Sequence, residues 1–216
     1  ALEAFQKEHP AVIHNDGTPV ENATLKVAIV TDSTLKGVFN PFLFTDGYDD
    51  EVMKDTMMGA FPTTTDFKLV LDSDTTPIKV TFDEAEKTVT YKINPKFKWS
   101  DGSQVTTADI VKTYEVTANN DYIVATQSVR YSDAMHNIVG IEEYNEGKAD
   151  KISGLEVIDD SNMKIHLKEM TPGVIWGGPF ASEFVNAKQL ECIPMDKINE
   201  SDAFRKNPLS YGPYYI

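Results

Sequence analysis

Four histidines, a single cysteine and 34 carboxylates are the side chains in this 216-residue chain that could hold a metal or move a proton. His9, His14, His136 and His166 show neither the i, i+4 helical pairing nor the HExxH pattern that places two imidazoles on one ion. His9 and His14 stand five apart in a polar segment, too far round a helix to share a face. His166 lies between two apolar strand neighbours, so its ring should point away from theirs into solvent. Cys192, in Glu191-Cys192-Ile193-Pro194, has no partner motif for nucleophilic catalysis and reads as a buried, inert thiol. No GxSxG, GxxxxGK or GxGxxG occurs, and Gly177-Gly178-Pro179 introduces no long helix. The acid pairs Asp49-Asp50, Glu142-Glu143 and Asp159-Asp160 read as solvated turns and helix caps. Asp72, Asp74 and Asp83 lack the glycine and terminal glutamate of a calcium loop. The expectation is a chain with no metal, no cofactor and no catalysis.

Composition narrows the class further. Apolar residues make up 41% and charged residues 25%, as in a globular protein. The formal charge of −14 disfavours a nucleic-acid partner, which would need clustered Lys and Arg, and opposes binding to an anionic membrane surface. No run approaches the roughly 18 apolar residues of a membrane span. One cysteine allows no internal disulfide, a pattern that fits an exported Gram-positive protein as well as a cytosolic one. The start, Ala1-Leu2-Glu3-Ala4-Phe5, is neither a signal peptide nor a lipobox.

The informative stretch runs from Lys98-Trp99-Ser100-Asp101-Gly102 through Val105-Thr106-Thr107-Ala108-Asp109-Ile110-Val111 to Tyr114-Glu115. A strand ends at Trp99 and a tight turn follows, with Gly102 at a position free of the Cβ penalty. Thr106 is placed as an N-cap with Asp109 three residues on as its capping-box acid. Ile110, Val111 and Tyr114 then lie on one helical face. This string resembles the signature of the peptide- and nickel-binding family of ABC-transporter solute-binding proteins, the oligopeptide- and dipeptide-binding type. It departs from the family's Val-Thr-Ala-x-Asp-Val-Val only in that Thr107 precedes Ala108. Trp99 is read as a core and turn marker rather than a ligand contact.

The remaining chain follows the same pattern. Residues 1–24 read as a tail, and Leu25-Lys26-Val27-Ala28-Ile29-Val30 as a central strand, apolar on both faces. Phe39-Asn40-Pro41 and Phe44-Thr45-Asp46-Gly47-Tyr48 lead to a helix over Asp49–Gly59, capped by Asp49 or Asp50. Its inner face is Val52, Met53, Thr56, Met57 and Ala60. At Gly59-Ala60-Phe61 the family's leucine is missing. Period-2 alternation marks two hairpins, Ile78–Phe82 with Val89–Ile93 and Leu155–Val157 with Met163–Leu167, turning at Asp83–Thr88 and Asp159–Asn162. A short helix begins at Thr171-Pro172-Gly173, with Trp176 and Phe180 expected to be buried. The last residues, Tyr211-Gly212-Pro213-Tyr214, match a Gly-Pro-Tyr entry into a second lobe.

The resemblance implies a mixed α/β fold of the type II periplasmic-binding-protein kind, a sheet with flanking helices. Residues 25–47 would open the first lobe, 48–150 form an inserted subdomain, and 151–216 return to the first lobe. The second lobe would be absent, so that the chain is a fragment expected to bind ligand poorly by itself. It also implies a peptide ligand held between lobes through main-chain pairing. Phe44, Thr45, Asp46, Gly47 and Tyr48 would supply backbone groups, and Tyr122 would be a cleft tyrosine. The partners implied are an ABC permease and ATPase. The protein would be a monomer, extracellular and held at the Gram-positive surface by a lipid anchor outside this chain, or periplasmic. A pheromone-signalling or adhesion protein on the same fold, a family member for nickel, haem or oligosaccharide, and a secreted hydrolase are the competing readings.

Overall fold

Strict apolar alternation in two pairs of segments builds the sheet on which the rest is packed. The computed structural model describes residues 21, 24, 26, 28–43, 45–54, 56, 57, 64, 66, 68–175 and 183–215. Four strands, β1 (Ile78–Asp83), β2 (Thr88–Ile93), β3 (Leu155–Val157) and β4 (Asn162–His166), form one antiparallel sheet in the order β1-β2-β4-β3. Register puts Val80 opposite Tyr91 and Tyr91 opposite Met163; the next row is Phe82, Val89, Ile165 and Leu155. These rows face one core, because residues two apart on a strand share a face. Both predicted hairpins are present. In the first, Asp83 pairs with Thr88, so the connection is only Glu84–Lys87. In the second, Asp159 accepts N–H bonds from Ser161 (2.8 Å) and Asn162 (2.9 Å), which close the turn and hold its carboxyl below the usual carboxylate range.

Helix α1 (Gly47–Met53) precedes the sheet. Between the hairpins run α2 (Thr107–Ala118), α3 (Asn120–Thr126), a 3-10 turn at Met135–Asn137 and α4 (Ile141–Asn145). After the sheet come α5 (Pro172–Ile175), α6 (Ala187–Leu190), a 3-10 segment at Met195–Glu200 and α7 (Asp202–Lys206). No helix among the described residues is long and apolar enough to cross a membrane.

Helix α2 divides the apolar interior in two. Ile110, Tyr114 and Ala118 join the sheet residues, Trp99 and Tyr211 in the larger core. Val116 faces a smaller one, with Phe42, Leu43, Tyr122, Val185, Leu190, Ile198 and Phe204. One helix therefore serves as a wall for both, which its wide apolar stripe permits.

Three local expectations are corrected. The described residues of the predicted first strand, Lys26, Ala28, Ile29 and Val30, form no strand, and Val30 is 94% exposed. An apolar run is only eligible to be a strand; it needs a ladder partner, and none of the four strands serves it. Helix α1 starts two residues earlier than predicted and ends at Met53, because Asp46 rather than Asp49 or Asp50 is its cap. Met53, Thr56 and Met57 are buried as expected. Cys192 is exposed in the turn after α6, where Leu190 takes the buried position. The tail before residue 21, Gly59-Ala60-Phe61, Trp176 and Phe180 lie outside the described residues.

Glycine is required where chains cross. A Cβ on Gly154 would sit 2.6 Å from the Val139 carbonyl oxygen and 3.0 Å from that of His166. Those backbones are bonded there, Gly154 N–H to Val139 O and His166 N–H to Gly154 O, each at 2.8 Å, so neither can retreat cheaply. Gly154→Ala should cost about 1–3 kcal/mol in equilibrium urea unfolding. Gly47→Ala, with nothing within 4 Å, should stay within about 0.5 kcal/mol of the parent.

Burial also pushes the phenols of Tyr91, Tyr114 and Tyr211 upward, and the first two are hydrogen-bonded to each other. In the unfolded chain a tyrosine ionises near pH 10. Above that pH the unfolded state binds fewer protons than the folded one, so stability, full below pH 10, falls as pH rises. Absorbance titration of phenolate should show these three ionising only with loss of the circular dichroism signal.

Candidate functional site

The stretch Lys98–Glu115 folds around one carboxylate. Trp99 N–H bonds to Ser103 O (2.9 Å) and Gly102 N–H to Trp99 O (2.8 Å), with Gly102 at φ 86°, the left-handed region a glycine tolerates. Asp101 accepts from the Ser103 N–H and hydroxyl, which lowers its pKa. The chain then enters α2, where Asp109 is buried. Its Oδ2 accepts from the Trp99 indole Nε1–H (3.0 Å) and the Thr106 N–H (2.8 Å). Its Oδ1 accepts from the Ala187 N–H (2.8 Å) at the start of α6. Trp99 is 2% exposed and stands edge-on to Tyr211, ring centres 5.1 Å apart. The predicted capping acid is thus also the anchor of the tryptophan and of a segment 78 residues away. Nothing local to the motif signals that last contact.

A second buried carboxylate shapes the run that leads to the predicted ligand contacts. Asp49 accepts from the backbone N–H groups of Lys36 (3.0 Å), Gly37 (3.3 Å) and Val38 (2.9 Å), a concave nest of amides around one anion. Asn40 Nδ2 donates to Phe204 O at 2.8 Å while its Oδ1 accepts from Phe42 N–H at 2.8 Å, and Phe39 N–H reaches Arg205 O. Residues 36–43 are therefore clamped before the chain reaches position 44. Sequence reading gave Asp49 a cap's role and missed this one, since an Asp at a helix start fits both.

Of the predicted contacts, Phe44 lies outside the described residues. Thr45 and Gly47 are exposed, and Asp46 and Tyr48 are half-buried. Asp46 has extended backbone and caps α1 by accepting from Tyr48 N–H at 2.9 Å. That bond, and then the Lys36 ammonium 3.2 Å away, hold its carboxyl below the usual range. Tyr48 donates its hydroxyl to Asp32 at 3.0 Å. From Gly47 on the backbone is helical, and Asp46 just before it is extended. Tyr122 is apart from them. It is fully buried on the inner side of α3, its hydroxyl donating to Phe42 O at 2.7 Å and lying 3.3 Å from Ser128 Oγ. Tyr122, expected as a cleft tyrosine, is packed, its ring completing the smaller core.

Thr45 opens onto a cavity of about 300 Å³ that it forms with residues 41–43 and 126–130. Phe42, whose carbonyl Tyr122 holds, lines it, so Tyr122 supports the wall from behind. A larger hollow of about 760 Å³ lies along α2 and α6 and contains none of the predicted contacts. Among the described residues no group of three or more His, Cys, Asp or Glu could hold a metal. His166 is half-exposed and paired with Glu156 at 2.6 Å, and His136 stands 3.9 Å from Glu142. These are surface contacts. The arrangement can bind and enclose; no nucleophile with an attendant base is assembled among the described residues.

The family model described as bacterial extracellular solute-binding proteins, family 5, middle region, matches residues 78–216, and the chain belongs to that family. It is 34% identical over 161 residues to the oligopeptide-binding protein OppA of Lactococcus lactis, a stretch that is 72% of this chain and 26% of that protein. The structure of lactococcal OppA complexed with an endogenous peptide in the closed conformation superposes with a TM-score of 0.74 at 30% identity, covering 85% of this chain and 34% of that one. OppA of Listeria monocytogenes bound to peptide (TM-score 0.62, 19% identity, 85% of this chain and 34% of that one) shares the fold. The chain thus spans between a quarter and about a third of these relatives, and the mixed α/β, type II binding-protein fold expected from the sequence is what it adopts.

Replacing Asp109 by Asn puts an NH₂ where an N–H donor now points, and should cost about 2–4 kcal/mol in urea unfolding. Trp99→Phe should cost about 1.5–3 kcal/mol. Because the two share a bond, the double variant should lose at least about 1 kcal/mol less than the sum. Additivity within about 0.3 kcal/mol would show that the indole bond carries nothing.

Proposed function

We propose that this chain is part of the peptide-receiving component of an ABC importer. The observation that carries the reading is the match to peptide-bound lactococcal OppA, in sequence and in backbone together, over most of this chain. In this reading the whole protein closes two lobes over an extended peptide, and the closed form is recognised by the membrane permease with its ATPase. It works outside the cytoplasmic membrane, held there by a lipid anchor or free in a periplasm, as a monomer and without catalysis. Residues 44–48 face the ligand, with the extended backbone of Asp46 offering main-chain groups. Tyr122 acts at one remove, fixing the Phe42 carbonyl behind that run.

Mass spectrometry of small molecules released by denaturing the purified full-length protein tests this directly. A set of short peptides is the expected result. A sugar, a haem or a nickel complex in their place would keep the fold and overturn the substrate. In the same protein Tyr122→Phe should cost about 1 kcal/mol of stability. Its affinity for the released peptides should stay within about twofold, since the hydroxyl touches protein rather than ligand.

A further inference from the structure

Arg130 lies at the wall of the 300 Å³ cavity in a state that its own neighbours leave incomplete. Its side chain is three-quarters buried, at 25% exposure. The guanidinium lies 4.6 Å from the centre of the Phe42 ring, and Nη2 donates to the Pro41 carbonyl oxygen. That is its one side-chain hydrogen bond among the described residues. Glu183 Oε2 is 3.6 Å from the same nitrogen, beyond hydrogen-bond range, and lines a neighbouring cavity that shares Pro41 as a wall. A guanidinium carries five N–H donors in a planar fork. With Glu183 only at ion-pair distance, most of them have no acceptor among the described residues and remain accessible from the cavity, none of them being buried without a partner.

The surroundings suit an anion with oxygen donors. Thr45, Thr126 and Ser128 line the cavity beside it, the Thr126 hydroxyl donating to the Tyr122 carbonyl, and Val129, 88% exposed, supplies an apolar rim. The loop that carries Arg130 is fixed from both ends. Gln127 sits in the left-handed region (φ 54°, ψ 32°) directly after α3, a conformation a non-glycine residue adopts at a cost. Arg130 N–H is held by Ser128 Oγ at 3.2 Å. In a chain of net charge −14, an inward-facing cation with a preset fork is the complement of a carboxylate.

We propose that Arg130 and this cavity form a carboxylate-binding subsite for the ligand, taking one acidic group per bound molecule. This rests on the peptide reading above. The carboxylate could be an Asp or Glu side chain or the ligand's terminal carboxyl, and the chemistry of the subsite is the same for both. Arg130 makes bidentate contact through its remaining donors, while Nη2 stays on the Pro41 carbonyl and the Phe42 ring supports the guanidinium.

The test uses the full-length protein, emptied by denaturation and refolded, with alanine pentapeptides as probes. One series carries Glu or Gln at each position in turn, and a second carries a free or an amidated C-terminus. Calorimetry should show one carboxylate, at a single position or at the terminus, binding about tenfold to a hundredfold tighter than its neutral isostere. Arg130→Gln should abolish that preference while leaving the neutral peptides within about threefold, and Arg130→Lys should restore part of it. The arm in which the preference falls tells a side chain from a terminus. A preference that survives Arg130→Gln, or an equal loss for acidic and neutral peptides in both variants, would overturn the subsite and leave peptide binding standing. Should no pentapeptide bind the parent protein at all, the peptide reading falls and the subsite with it.

Discussion

The structure depends on one buried carboxylate. Removing an aspartate from water costs several kcal/mol unless its lone pairs are met, and Asp109 meets them with three N–H donors from three places. One comes from the tryptophan before the turn, one from the cap of its own helix, and one from the start of α6. Because α2 is the wall shared by both apolar cores, fixing its first turn fixes where each core can form. Thr113 extends the same tie one turn on, its hydroxyl accepting from the Val185 N–H at 2.9 Å, so that the 184–187 segment is stitched along α2. The sheet supplies apolar area, but area is not directional. The carboxylate turns the packing into one arrangement.

A similar device recurs near the candidate ligand surface. Asp49 gathers three consecutive amides and Asn40 bridges to α7, so residues 36–43 arrive at the cavity with their path already set. A surface meant to pair with a ligand's main chain needs that rigidity, because ordering a loose loop on binding would subtract from affinity. Tyr122 and Phe42 do the same from inside: a fully buried phenol holds a carbonyl of the cavity wall. The wall of this cavity therefore rests on the smaller core, and the sheet reaches it only through α2.

What was legible in the sequence divides along physical lines. Period-2 alternation gave both hairpins with their core rows, since burying one face of a strand leaves no other pattern. The cap at Thr106 and Asp109 was legible because capping is local in sequence. The reach of Asp109 to Ala187 and of Asp49 to residues 36–38 was not, because a carboxylate's type says that it will accept hydrogen bonds and not from whom. The run 25–30 misled for a related reason. Strand propensity is real there, but a strand exists only where another backbone offers its ladder, and that partner is not written in the segment itself. Tyr122 was placed at the cleft by the family pattern over residues 122–140, and the amphipathic chemistry that suits a cleft equally suits a core position whose hydroxyl has a carbonyl to reach.

The same division explains why the resemblance fixes the fold more firmly than the ligand. The residues that carry the resemblance, from Lys98 to Glu115, are occupied with holding the protein together: Trp99 and Asp109 are buried against each other, and Ser100 and Gly102 make the turn. None of them lines the cavity beside Thr45. A motif that is selected to build a scaffold can be shared by proteins that bind quite different solutes, because the contacting groups sit on loops that the scaffold only positions. In the reading proposed above, ligand chemistry belongs to residues 41–43, 45 and 126–130, where the one prominent charge is the guanidinium of Arg130.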